Sequence, residues 1–331
     1  MVRLARRMNS HITLSDDFGT RFSVSIDTEE EFDWGGDLAR TGHGTASVAA
    51  IAEGQRFFEG AGVVPLYYVD QPILESDEAV ALFRDFIARR SADFGIHLHP
   101  WVTPPFVEDV HRHNSYAGNL PEDVERAKLR HVRDTMVDRL GHRPVAYRAG
   151  RYGIGPNSLQ ILAEEGFLLD SSVRSLFDYR DDGGPDFRWM GLHPWRTGPQ
   201  GRIVEVPLTT VFLGRASRCG QQVYGRLGQL PSFKSILSRL GLIERVPLTP
   251  EGIPAAKACE AIDAAVDRGV RLLTMSFHSP SLAIGHTPYV RDAKDLREFY
   301  SWFDTVFEHC ARRNIEPANL DQILSACAAD A

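Results

Sequence analysis

Two pairs of residues in this sequence have the types and the spacing of metal ligands. Asp27 and Glu29 stand two positions apart in the stretch RFSVSIDTEEEFDW (21–34), and His97 and His99 share that spacing. On an extended chain such residues point to the same face. Two imidazoles and a carboxylate suit a divalent cation such as zinc, iron, nickel or cobalt, with positions left for water and substrate. A hydrogen-bonded histidine pair at a strand end is the alternative interpretation.

Further residues have side chains that are common in active sites, and each also has a structural interpretation. His278, in SFHSPS, is compatible with a catalytic or a structural histidine. Arg148 and Arg151 are suited to orienting a carboxylate or to pairing with acidic loops at the surface. Asp170 precedes two serines and is also suited to capping a turn. None of these signals is specific when taken alone.

Seven short apolar runs predict the strands that position these residues. They cover 22–27, 63–69, 94–99, 145–149, 167–171, 203–208 and 272–277. Helices are predicted between and after them at 46–60, 77–90, 121–140, 156–165, 254–268 and 290–313. This alternation predicts βα units around a parallel sheet, and seven units favour a closed or nearly closed barrel. Five strands end in polar clusters, where parallel architectures bind ligands.

Composition excludes several classes of protein. The 331 residues are 43% hydrophobic and 24% charged, and 37 basic against 44 acidic residues give a net charge of -7. Because the chain has no excess of basic residues, a nucleic-acid partner is not expected. A neutral or polar substrate fits this charge better than a polyanion. Four scattered cysteines, no signal peptide and no apolar run of about 20 residues predict a cytoplasmic protein without a membrane span. Homo-oligomerisation is left open.

The sequence predicts one barrel domain over 21–331, preceded by an N-terminal extension over 1–20. The segment 178–202 is rich in Gly, Pro and Asp and predicts an irregular loop or hairpin. A mixed, basic segment near 213–250 predicts an insertion with a helix at PSFKSILSRLG (231–241).

Taken in order, the polar clusters resemble the motifs of the polysaccharide deacetylase family, the NodB-homology carbohydrate esterases. The order is an Asp-led acidic motif, HLHPWVTPP, YRAGRYG, an Asp after the next strand, and SFHSPSL. The match covers roughly residues 20–320 apart from the insertion. The three quoted motifs are similar to those of a branch associated with bacterial cell-surface polysaccharide genes.

The resemblance implies a distorted (β/α)7 barrel that removes acetyl from an N-acetylated sugar with the help of a divalent metal. Asp27 would be the general base, held ionised by Arg148, and His278 the general acid, tuned by Asp170. The implied metal is zinc first, with nickel, cobalt or iron as alternatives. The residues implied to bind the metal are Glu29, His97 and His99, and those implied to contact substrate are Trp101, Arg151, Tyr152 and Glu30.

Two departures from the family pattern concern positions that usually hold metal ligands. Thr28 stands where a second Asp usually follows the base, and Trp101 stands where a second His usually follows four residues after the first. Glu29 and His99 are the expected replacements, while a metal-independent amidohydrolase of the allantoinase type remains the alternative. A non-catalytic sugar-binding relative is a further alternative, against which the retention of both Asp27 and His278 argues.

Overall fold

The computed structural model describes residues 11–33, 35–227, 237 and 239–328. Its strands are β1 (Thr20–Thr28), β2 (Leu66–Val69), β3 (Asp93–Leu98), β4 (Ala146–Ala149), β5 (Leu169–Asp170), β6 (Trp195–Thr197), β7 (Ile203–Glu205), β8 (Thr210–Leu213), β9 (Glu244–Pro247), β10 (Leu272–His278) and β11 (Ile315–Pro317). Its α-helices are α1 (Ile51–Gly60), α2 (Gln71–Glu75), α3 (Asp77–Arg89), α4 (Glu122–Leu140), α5 (Ser158–Glu164), α6 (Gly220–Leu227), α7 (Ala255–Val266), α8 (Ala293–Arg312) and α9 (Leu320–Ala328).

Seven parallel strands curl into a half-barrel in the order β10-β1-β2-β3-β4-β5-β7. β6 pairs antiparallel with β7, and β11 pairs with the first residues of β1. Single hydrogen bonds, rather than a ladder, connect β10 to the chain after β7: Thr209 N–H donates to the Thr274 carbonyl (3.3 Å), and Ser276 N–H to the Leu248 carbonyl (3.1 Å). The distorted (β/α)7 barrel predicted from the sequence is confirmed.

The period of two along β1 decides which side chains enter the barrel. Phe22, Val24 and Ile26 belong to the large apolar cluster that also holds the inner face of α8. Ser25 and Asp27, on the other face of the same strand, are buried with Arg148. Since successive side chains of a strand point to opposite faces, packing three apolar residues against the helices directs Asp27 inward.

The predicted helices are present with small changes at their ends. Helix 46–60 is divided into a 3₁₀ turn, Ala46–Ala50, followed by α1. Three short helices were missed: α2, which Asp70 caps, α6 in the predicted insertion, and α9 near the end of the described residues. The helix predicted at 231–241 lies largely outside the described residues.

The two flanking regions are partly described. Ile12, Leu14 and Phe18 pack in one apolar cluster with residues of α9. In the predicted insertion, β8 and β9 form a two-stranded antiparallel sheet. The segment 178–202 contains a 3₁₀ turn and then β6, which makes a hairpin with β7. The division into extension, barrel and insertion stays a prediction. No helix among the described residues has both the length and the apolarity to cross a bilayer.

Candidate active site

A cleft of about 830 Å³ opens where the parallel strands end. Strand pairing brings its central residues together: Asp27 stands opposite His278 in the β1–β10 ladder, and His97 opposite Arg148 in the β3–β4 ladder. Residues predicted from four separate stretches of sequence therefore meet at one rim of the barrel. This is the edge at which parallel βα folds bind their ligands.

Glu29, His97 and His99 form a buried group with the geometry of metal ligands. One ligand atom from each lies within 4.8 Å of the others. Glu29 Oε2 is 3.5 Å from His97 Nε2 and 3.4 Å from His99 Nε2. Burial lowers the pKa of His97, and lowers that of His99 to about 4, so both rings are neutral near pH 7. Neutral imidazoles are the form that binds a cation.

The partners of these residues fit a divalent cation. His97 Nδ1 lies 3.1 Å from the Arg148 carbonyl and His99 Nδ1 2.7 Å from Glu30 Oε2. A proton on each Nδ1 leaves both Nε2 lone pairs directed at Glu29. Glu29 Oε1 is buried and has no hydrogen-bond partner among the described residues, and burial raises the Glu29 pKa to about 7. A His₂Glu set is one of the arrangements found at catalytic zinc sites.

Glu30 and Trp101, both predicted to contact substrate, lie beside His99. Glu30 is fully buried and does not line the cleft. Its Oε1 accepts a hydrogen bond from Trp101 Nε1 (2.9 Å), and its backbone N–H donates to Asp70 Oδ2 (2.9 Å). The Trp101 ring stacks on His99 with ring centres 4.2 Å apart, and it lines the cleft although it is only 2% exposed. Both side chains orient the His99 ring.

Glu30→Gln is expected to weaken metal binding by about 10- to 100-fold, because carboxylate partners of a ligating histidine fix its tautomer and raise its basicity. The measurement is competitive titration of the metal against a chelator. Glu125→Gln is a matched control, since Glu125 is buried on α4 and accepts its hydrogen bond from Ser158, away from the cleft. Unchanged affinity in Glu30→Gln would show that Glu30 does not support the ligand set.

Asp27 is held as a buried carboxylate by Arg148. Arg148 Nη1 donates to Asp27 Oδ1, Nη2 donates to Ser25 Oγ (2.9 Å), and Nε donates to the Ser171 carbonyl (3.0 Å). Burial alone would raise the pKa of Asp27, but the charges of Arg148, His97 and His278 together with the Arg148 hydrogen bond hold it below its ordinary value. Asp27 is therefore ionised near neutral pH, and its second oxygen is directed toward His278 at 3.9 Å.

The carboxylate beside His278 is Glu251, rather than the predicted Asp170. Glu251 Oε2 lies 2.7 Å from His278 Nδ1, and Glu251 Oε1 accepts from the His278 backbone N–H (3.0 Å) and from Ser281 Oγ (2.7 Å). Asp170 accepts instead from Ser172 and lies beside Glu205 on the neighbouring strand. Glu251 follows no predicted strand and lies in a turn (TPEG), so no local pattern marked it.

The electrostatic environment keeps His278 protonated. Burial lowers its pKa, but the negative charges of Glu251, Glu29 and Asp27 outweigh burial and raise the pKa to about 10. With Nδ1 facing Glu251, the Nε2–H faces Asp27 and the cleft. The site therefore presents a carboxylate able to accept a proton next to an imidazolium able to donate one.

Arg151 and Tyr152 line the cleft, and their predicted contact with substrate stays a prediction. Both have positive φ, 53° and 60°, in a tight turn after β4. The turn begins at Gly150. A residue with a Cβ does not fit at this position, because that Cβ would lie 2.2 Å from His99 Cδ2. Arg151 donates to Asp182 and to Ser115, so its charge is paired within the protein.

Comparisons with known proteins agree with this fold. No family model matches the chain, and no curated protein matches it at a significant level. Among solved structures, a candidate polysaccharide deacetylase from Mycobacterium smegmatis has a TM-score of 0.52 at 21% identity, over 97% of this chain and 94% of that one. The Puue allantoinase has a TM-score of 0.53 at 12% identity, over 93% and 89%. The 4-alpha-glucanotransferase from Thermococcus litoralis has a TM-score of 0.54 at 12% identity, over 93% of this chain but 40% of that one.

At these identities the similarity is one of fold. The chain has the distorted barrel of the NodB-homology polysaccharide deacetylases, which confirms the resemblance found in the sequence at the level of fold. Because one fold supports different reactions, the residues of the site, rather than the fold, determine the activity.

Proposed function

We propose that this protein is a hydrolase that removes the acetyl group from an N-acetylated sugar. The observation that carries the proposal is the pairing of Asp27 with Arg148 and of His278 with Glu251, with Asp27 Oδ2 and His278 Nε2 3.9 Å apart. Amide hydrolysis needs a base for the attacking water and an acid for the leaving nitrogen. Both groups face the cleft that contains the Glu29, His97 and His99 group.

Each residue has a defined task in this reaction. Asp27 takes a proton from the water whose oxygen attacks the acetyl carbon. His278 gives its Nε2 proton to the nitrogen as the carbon–nitrogen bond breaks, which leaves acetate and a free amine. A divalent cation held by Glu29, His97 and His99 would supply Lewis acidity toward the carbonyl oxygen. The backbone N–H of Tyr152, in the turn after β4, would donate to the same developing oxyanion.

The lining of the cleft suits a carbohydrate. Four tyrosines line the cleft: Tyr116, Tyr152, Tyr179 and Tyr289. Aromatic faces pack against the C–H surfaces of a sugar ring, while hydroxyls and charged groups take its polar edges. The volume is within the range of sites that enclose small ligands.

The alternative reaction is hydrolysis of a small cyclic or linear amide, since the fold is also that of an allantoinase. The same base and acid would serve it. A purely sugar-binding role is less consistent with the site, because binding alone does not require a buried carboxylate and a buried imidazolium side by side.

Acetate release tests the proposal. We expect the purified protein to contain one divalent ion and to release acetate from N-acetylhexosamines but not ammonia or ring-opened product from small cyclic amides. Prolonged chelation should stop acetate release, and one divalent ion should restore it. Full activity in protein shown to be metal-free would contradict the metal role, and turnover of cyclic amides alone would contradict the sugar substrate.

A further inference from the structure

Arg174 is a cleft arginine that forms no ion pair with a carboxylate of the described residues. It follows β5 and lines the cleft together with Glu251 and His278. Its Nη1 donates to the neutral Tyr179 hydroxyl at 3.3 Å, and it makes no ion pair within 4.0 Å of any described residue. The segments that the structure does not describe contain a single acidic residue, Asp330. The guanidinium is therefore available to a ligand.

The other arginines of the cleft differ in this respect. Three arginines line it, and two of them, Arg112 and Arg151, share the carboxylate of Asp182. Nearby, but outside the cleft, Arg180 and Arg188 pair with Asp178 and Asp186. Among the described arginines that line the cleft, Arg174 is therefore the one without an ion pair.

A second unmatched guanidinium lies beside Arg174. The guanidinium carbon of Arg174 is 4.1 Å and that of Arg245 3.5 Å from the centre of the Phe177 ring. Arg245 Nη1 donates to the Leu176 carbonyl (3.0 Å), and Arg245 likewise makes no ion pair with a described residue. Burial and the charge of Arg174 lower the Arg245 pKa to about 10, so both remain charged near pH 7. Two adjacent cations favour an anion at the accessible one.

The position of Arg174 indicates which part of the substrate it would meet. In the proposed reaction the acetyl group points to Glu29, His97 and His99, while the leaving nitrogen and its sugar lie toward His278. Burial opposes the charge of Arg174, whereas Tyr152, Tyr179 and Glu251 raise its pKa. Since Glu251 is the carboxylate partner of His278, Arg174 belongs to this second side.

We propose that Arg174 binds an anionic group, a carboxylate or a phosphate, carried by the sugar that is deacetylated or by the unit linked to it. This inference rests on the proposed function and narrows its substrate class. The planar guanidinium matches either anion through two parallel hydrogen bonds. A single anion is also compatible with the net negative charge of the chain, which disfavours polyanions.

The test compares one N-acetylhexosamine in three forms: neutral, phosphorylated, and linked to a uronic acid. We expect the wild-type protein to have a kcat/KM at least about 10-fold higher for one or both anionic forms, as charge-assisted hydrogen bonds give. Whichever form is preferred identifies phosphate or carboxylate as the anion. Arg174→Gln should remove the preference with little change on the neutral sugar, and Arg174→Lys should keep part of it. Higher ionic strength should reduce the preference in the wild type.

Arg180→Gln is the matched control, because it removes an arginine from the same region that is outside the cleft and already paired. It should keep the wild-type preference. Equal kcat/KM on neutral and anionic sugars, or equal losses on both in a folded Arg174→Gln protein, would overturn the inference while leaving the deacetylase proposal intact. Absence of turnover on all three sugars would refute the proposed function instead. Calorimetric binding of the same sugars to wild type and Arg174→Gln would then decide the role of Arg174, with equal affinities refuting it.

Discussion

Asp27→Asn is expected to lower kcat for acetate release by about 10²–10⁴-fold, the usual contribution of a general base. The change is nearly isosteric and leaves an oxygen to accept the hydrogen bond of Arg148, so folding should be preserved. It removes the negative charge that accepts the proton of water. The Arg148 guanidinium is bonded to Asp27, Ser25 and Ser171, so it holds Asp27 in one orientation.

The measurement is single-turnover and steady-state acetate release, alongside the thermal unfolding midpoint and the metal content. Asp93→Asn is the control: Asp93 is also on a parallel strand, but at the start of β3, where it accepts from the Leu320 backbone N–H (2.7 Å) at the opposite end of the barrel. It should leave kcat within about twofold, far below the effect of losing a base. Activity of Asp27→Asn within about threefold of wild type would exclude Asp27 as the base.

His278→Ala is expected to slow amide cleavage by about 10²–10⁴-fold and to affect an activated aryl ester far less. An amine leaves only when its nitrogen is protonated, whereas a phenolate leaves without an acid. A histidine with a purely structural role predicts equal losses on both substrates together with a lower melting temperature. Measuring amide and aryl ester turnover in the same preparation separates the two roles, and equal losses with reduced stability would refute the acid.

The pH profile gives an independent readout of His278. Because the acid must be protonated, the alkaline limb of the amide rate should fall as pH rises through a value at or below about 10. A cation bound beside Glu29 would move this limb to lower pH, because its charge opposes an imidazolium. Glu251→Gln should also shift the limb to lower pH, since it removes the neighbouring negative charge, and His278→Ala should abolish the limb. A limb that stays in place in Glu251→Gln would exclude this pairing.

The sequence alone determined the elements of the barrel and the residues that end its strands. Period-two and helical apolar patterns predict seven parallel strands, and those strands are present. Parallel pairing places strand ends at one edge, so Asp27, His278, His97 and Arg148 could be predicted to meet from their positions alone. The spacing of two residues likewise anticipated that Glu29, His97 and His99 gather on one side.

Only the tertiary structure decided the contacts made by loops and by the surroundings of the site. Glu251 replaces Asp170 as the neighbour of His278 because the chain after β9 returns to the end of β10, a path that no local pattern encodes. Glu30 and Trp101 lie beside His99 because the segments that follow β1 and β3 meet there, where Glu30 contacts both His99 Nδ1 and Trp101 Nε1. Periodic patterns report the face of an element on which a residue lies, whereas the partner of a loop side chain depends on how separate turns pack together. The same packing pairs Arg151 with Asp182, whereas Arg174 donates to the Tyr179 hydroxyl and forms no ion pair with a described residue.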